Sequence, residues 1–184
     1  VSRARNAGLA AVPPHARFIT FLDADDLNAP GRIARQLAVL DGNPGTQIAI
    51  GMICFFEEID EESYVPLPGT RTMTVSGALL HAALFDREVF DVIGGFDADM
   101  PYGEDIDLFL RVQEARIPYL MEEEVAVFYR RHLTNMTNDM AKSRRGFADA
   151  IRRSLARRRA SGMTMELGDL FKARTSAEEA FRNG

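Results

Sequence analysis

Short apolar runs alternate along the chain with longer segments whose apolar residues recur at helical spacing. Ser2 to Ala11, with Ala7, Leu9 and Ala10 among Arg3 and Arg5, predicts a helix capped by Ser2 and ended by Pro13-Pro14. Arg17 to Leu22 holds four large apolar residues in six and predicts a short buried strand. Asp23, Asp25 and Asp26 follow at once. Asn28 or Ala29 then opens a second helix with Pro30 in its first turn. Ile33, Leu37 and Leu40 mark its buried face, and Gly42-Asn43-Pro44-Gly45 stops it.

Gln47 to Phe56 is a near-continuous apolar run, the pattern of a strand buried on both faces. Glu57 to Gly69 turns acidic and then Pro-rich, which predicts a loop or an edge excursion. Ala78 to Phe85 is apolar again. Asp86 caps a short helix, Arg87 to Ile93, closed by Gly94-Gly95. Gly103-Glu104-Asp105 opens another, with Leu108, Val112 and Ala115 on one face and Asp107 four residues before Arg111. Tyr119 to Met121 and Val125 to Tyr129 read as two short strands.

From Met140 the composition shifts. Between Lys142 and Arg159 stand eight basic residues and one acid, Asp149, with Phe147, Ile151 and Leu155 at i, i+4 and i+8. Two readings fit: a terminal helix packing that stripe on the domain with its charges solvated, or a basic amphipathic helix lying on an anionic membrane surface. The domain boundaries expected are therefore 1–139 and a helical extension at 140–184. Strand and helix alternate in the first half, which predicts an α/β layered fold with a largely parallel sheet flanked by helices.

Composition narrows the function classes. The 184 residues are 46% hydrophobic and 27% charged, ordinary for a globular domain. A net charge of -5 argues against a general nucleic-acid binder. Cys54 is the only cysteine, which excludes a disulfide framework and a thiolate metal site and fits a cytoplasmic chain. No apolar run reaches the length of a membrane span. The first residue is Val1, and the opening already reads as the middle of an element, so preceding residues are expected.

Two acidic sites carry candidate chemistry. Asp23, Asp25 and Asp26 lie just beyond a strand, where open α/β sheets bind ligands, and their hard oxygens suit Mg²⁺ or Mn²⁺. A polar turn would use the same residues. Glu104 and Asp105 stand at a helix start, where acids also serve the helix dipole alone.

The motifs around them resemble family 2 glycosyltransferases with the GT-A fold. Ala4-Arg5-Asn6-Ala7-Gly8 and Phe21-Leu22-Asp23-Ala24-Asp25-Asp26 resemble the family's central segment. Gly94-Gly95-Phe96-Asp97 followed by Gly103-Glu104-Asp105-Ile106-Asp107-Leu108 resembles its second signature. Tyr129-Arg130-Arg131-His132 with Asn135 and Thr137 resembles its third. None is diagnostic alone; their order is the signal. The resemblance also implies that the family's opening strand–helix units, roughly two of about 30 residues each, are not in this chain.

The resemblance implies transfer of a sugar from a nucleotide-diphosphate sugar, UDP-linked by default, to a glycan or lipid-linked acceptor in surface polysaccharide or glycolipid synthesis. It implies a Mn²⁺ or Mg²⁺ ion held by Asp25 with Asp23 or Asp26, with His132 as a further ligand. Asp105 matches the general base of an inverting displacement, and Glu104 orients the acceptor or Asp105. Arg5, Asn6 and Arg130 match donor-contacting positions, with Asp23 and Asp25. His15 and His81 have no partners in sequence and read as structural or surface residues. Phe55, Phe56 and Tyr64 border the irregular stretch where acceptor loops are expected.

Two rivals fail on named residues. Aspartate-nucleophile phosphatases want Thr or Val where Leu27 stands, and a calcium loop wants Gly where Asn28 stands. A glycosyltransferase-like module that binds sugar without turnover is the alternative of a different class.

Overall fold

The computed structural model describes residues 1–60, 62–63, 65–70, 72–131, 139–165 and 174–175. Tyr64, His132, Asn135 and Thr137 lie outside them. The chain divides into two compact units. One contains Val1–Ile19, Asp86–Ile117 and the described residues of 136–168; the other contains Thr20–Phe85 and the described residues of 118–135 and 169–184.

Helices build the first unit: α1 (Ser2–Ala10), α3 (Glu88–Ile93), α4 (Glu104–Glu114) and α5 (Met140–Ser161). Ser2 was expected to cap α1. Val1 holds the N-cap position instead, and the buried Ser2 hydroxyl donates to Met100 O at 3.1 Å. Asp86 does serve the start of α3, accepting from Glu88 N at 3.0 Å, and Gly94 at φ 72° ends that helix. The Arg87 guanidinium donates to the carbonyls of Pro13 and Pro14 at 3.1 and 2.9 Å, tying the chain after α1 to α3.

α4 begins at Gly103, a left-handed residue (φ 77°) that meets Gly146 of α5. A Cβ on Gly103 would lie 2.6 Å from the Gly146 backbone, so both residue type and conformation are fixed there. Asp107 and Arg111 form the expected pair at 2.9 Å. Ala115, expected on the buried face, is exposed as the C-cap, because α4 ends there and Arg116 turns the chain at φ 54°.

α5 packs through Gly146, Ala150 and Ser154. Arg157 on this side donates to Asp107 at 2.8 Å and to Glu114 at 2.7 Å, and Arg153 pairs with Asp97. The stripe expected to dock the helix is turned outward: Phe147 is 49% and Leu155 39% exposed. Small residues with two inward arginines allow a closer helix approach than Phe and Leu would, and that side wins.

The second unit carries a mixed sheet and α2 (Arg32–Gly42). Its strands are β1 (Phe18–Thr20, straddling the division between units), β2 (Leu27–Asn28), β3 (Ile48–Phe56), β6 (Met73–Ser76), β7 (Ala83–Asp86), β8 (Tyr119–Arg130) and β9 (Arg174–Thr175). β4 (Ile59–Asp60) and β5 (Val65–Pro66) form a separate two-stranded excursion within the irregular stretch. β3 is central and buried, as its apolar run predicts. β7 pairs with its residues 48–50 and β6 with 53–55, both antiparallel, while β8 runs parallel along the other edge. β2 with β8 and β6 with β9 are antiparallel too. The sheet is therefore less parallel than expected, because no helix separates β3 from β6 and the chain simply returns along the same edge.

Two further expectations change. The gap between the predicted strands at 119–121 and 125–129 is a bulge: β8 is continuous, and its register on β3 jumps from Met121 opposite Ile50 to Val125 opposite Met52. Leu27 and Asn28, expected near a helix start, pair as β2 with Phe128 and Val127, so α2 starts later, after Pro30, from a left-handed Gly31.

The buried face of α2 is Arg32, Gln36 and Leu40, while Ile33 is exposed and Leu37 only half-buried. Arg32 is 1% exposed and donates to Asn28, Thr20, Gln36 and Ala83 O at 2.6, 2.9, 3.0 and 3.2 Å. Gln36 continues to the carbonyls of Ala49 and Ala82 at 3.2 and 2.8 Å. A satisfied polar network thus takes the place of an apolar helix face and fixes β1, β7 and β3 against α2. No helix among the described residues is long and apolar enough to cross a membrane.

Candidate metal and donor site

Each unit carries part of the predicted set. In the second, Asp23 to Asp26 make a turn beyond β1, closed by Asp26 N to Asp23 O at 3.1 Å. Asp26 points inward, its side chain fully buried, and its Oδ1 accepts from Arg130 N at 3.3 Å. Its Oδ2 is buried with no hydrogen-bond partner.

His81 completes this group. Its Nε2 lies 3.1 Å from Asp23 Oδ2 and its Nδ1 3.6 Å from Asp26 Oδ2. The imidazole stacks on Tyr129 at 6.4 Å and 18°, which holds the ring plane. One ligand atom from each of Asp23, Asp26 and His81 falls within 4.8 Å of the others. His81, expected to be a bystander, is therefore the acids' neighbour. No local signal marks it: it sits in a 3-10 turn (Leu80–Ala82) before β7, and only the pairing of β7 beside β1 brings it to the turn.

Burial pushes the Asp26 carboxyl up to about 6; His81 and the Arg130 N–H offset part of that, while Asp25 and Asp23 add to it. Gathered carboxylates that raise one another, with a buried carboxylate oxygen lacking a hydrogen bond, make an environment that a divalent cation relieves. Two carboxylates and an imidazole fit such an ion. Asp25, expected as its first ligand, is exposed and outside the group that converges. The side chain of Arg130 is exposed as well.

The first unit gathers the other residues. Arg5 of α1 donates to Glu104 Oε1 at 2.6 Å, and its guanidinium lies 5.4 Å from the centre of the Phe96 ring. Asn6 takes both backbone groups of Phe96, donating to its carbonyl at 2.7 Å and accepting from its N–H at 2.8 Å. Gly95 permits this: a Cβ there would stand 2.5 Å from Asn6 Oδ1. The Arg5-Asn6 segment and the Gly95-Phe96 signature are thus one built unit. Beside them opens a cleft of about 640 Å³, lined in part by Asn6, Phe96, Asp97 and Arg111.

Glu104 is buried at the start of α4, and Asp105 Oδ1 accepts from Ile106 N at 2.8 Å, which fixes its carboxylate. Burial raises the Glu104 carboxyl, the Asp105 charge raises it further, and Arg5 only partly offsets them.

The model of the family described as "Glycosyltransferase like family 2" matches residues 1–181. No curated protein matches the chain. With almost its whole length matched, the chain belongs to glycosyltransferase-like family 2.

Proposed function

We propose that the protein is a metal-assisted, inverting glycosyltransferase with the GT-A fold, moving a hexosyl group from a nucleotide-diphosphate sugar to an acceptor hydroxyl. The observation that carries this reading is the convergence of Asp23, Asp26 and His81, with Asp26 Oδ2 orphaned, in a chain of this family. Those three residues would hold Mn²⁺ or Mg²⁺, and the imidazole in the set leans toward Mn²⁺. Such an ion supplies Lewis-acid neutralisation of charge on the departing diphosphate.

The protein's own groups do the rest. Asp105 takes the proton from the acceptor hydroxyl, whose oxygen forms the new bond to the anomeric carbon as the bond to diphosphate breaks on the opposite face. Glu104, held by Arg5, orients Asp105 or the acceptor. Asp25 and Arg130, exposed beside the acidic turn, meet the donor. UDP is the default donor nucleotide and a surface glycan or lipid-linked glycan the acceptor class, both by family.

Turnover of a panel of nucleotide sugars, with Mn²⁺ or with chelator, tests the reading. Product formation that needs metal, inverts the anomeric centre by proton NMR and falls at least 100-fold in Asp105→Asn with donor binding kept supports it. Binding of a nucleotide sugar with no product under any condition would make the protein a sugar-binding module instead.

A further inference from the structure

The cations of α5 divide by side. Arg153 and Arg157 turn inward onto Asp97, Asp107 and Glu114. Arg144, Arg145, Arg152 and Arg159 are exposed on the remaining surface of the helix, Arg152 with 75% of its side chain accessible. Between them runs the apolar stripe, which among the described residues stays exposed at Phe147 and Leu155 and half-buried at Ile151. Phe147 (49% exposed), Ile151 and Leu155 (39%) continue at heptad spacing to Met140 (59%). With Arg152 and Arg159 they line a shallow groove of about 460 Å³. Asp149, the helix's sole acid, is paired with Arg152 at 2.9 Å.

We infer that this face of α5 is a docking surface for an anionic lipid bilayer. The assignment rests on charge complementarity. A chain of net charge -5 keeps on one helix face exposed arginines around exposed Phe, Leu and Met. A protein partner would bury that stripe equally well, but it would not call for cations along the whole flank. Interfacial helices place their apolar residues at the acyl boundary while flanking arginines reach the phosphates. The inference does not depend on sugar transfer, though a lipid-linked acceptor would meet the protein at such a surface.

The test is flotation of the full chain with vesicles of phosphatidylcholine alone and with about a third phosphatidylglycerol, at low and high salt. We expect binding to the anionic vesicles, at least tenfold weaker at 0.5 M salt. Binding should also fall at least tenfold in Phe147→Ser/Leu155→Ser and in Arg144→Glu/Arg152→Glu/Arg159→Glu. These residues are exposed, so both variants should keep the wild-type melting temperature. No binding by the wild type, or equal binding by a folded variant, would overturn the inference. So would a concentration-dependent dimer in sedimentation velocity that the Ser variant abolishes, because the stripe would then belong to a second copy.

Discussion

Arg5 Nη1 lies 2.6 Å from Glu104 Oε1, with both side chains 11% exposed. The contact joins the first helix to the start of the helix that carries Asp105. Glu104 is nonetheless held above the ordinary carboxyl range, since burial and Asp105 outweigh the arginine.

That sets a pH dependence. A carboxyl raised in the folded state binds protons that the unfolded chain has already released, so its contribution is fully present below the unfolded value of 4.5 and lost as pH rises through the folded one. Glu104→Gln, which keeps an acceptor for Arg5, should flatten the fall in stability above pH 4.5. Urea unfolding at pH 4 to 8 measures it; an unchanged slope would show that Glu104 is not the group responsible.

Arg32 offers a larger effect. Four of its donor N–H groups are committed inside the sheet unit, and burial lowers its guanidinium to about 10. Arg32→Met removes the charge but strands Asn28, Thr20 and the Ala83 carbonyl, at a cost of about 3–5 kcal/mol. Denaturant titration should show it, and a loss below about 1 kcal/mol would mean the network relaxes onto water.

Glycines give a paired test within the first unit. Gly103→Ala must strain a left-handed backbone and push a Cβ to 2.6 Å from Gly146, costing about 2–4 kcal/mol. Gly8, inside α1 with nothing within 4 Å, should gain about 0.5–1 kcal/mol on the same change. Equal shifts in melting temperature would contradict the crowding at the α4–α5 crossing.

What the sequence made legible follows from what is local. The buried β3, the stop at Gly94, and the Asp107–Arg111 pair depend on neighbours a few residues away, and each appears as expected, while Asp86 sits one residue before the N-cap Arg87 and accepts from Glu88 N. What was not legible depends on residues distant in the chain. The polar face of α2 needs carbonyls from β3 and the turn before β7, so apolar periodicity along α2 points to Ile33 and Leu37 rather than to Arg32 and Gln36. The direction in which α5 docks was decided by Asp97, Asp107 and Glu114, which its own sequence does not contain. At the site, the acidic turn was readable and His81, 55 positions beyond Asp26, was not.

Calorimetric titration of UDP into the protein, with Mn²⁺ and with chelator, tests the central assignment most directly. The account predicts binding that needs Mn²⁺ and weakens at least tenfold in both Asp26→Asn and His81→Leu. Affinity that is indifferent to Mn²⁺, or unchanged in either variant, would contradict it and leave the cluster a structural feature of the turn.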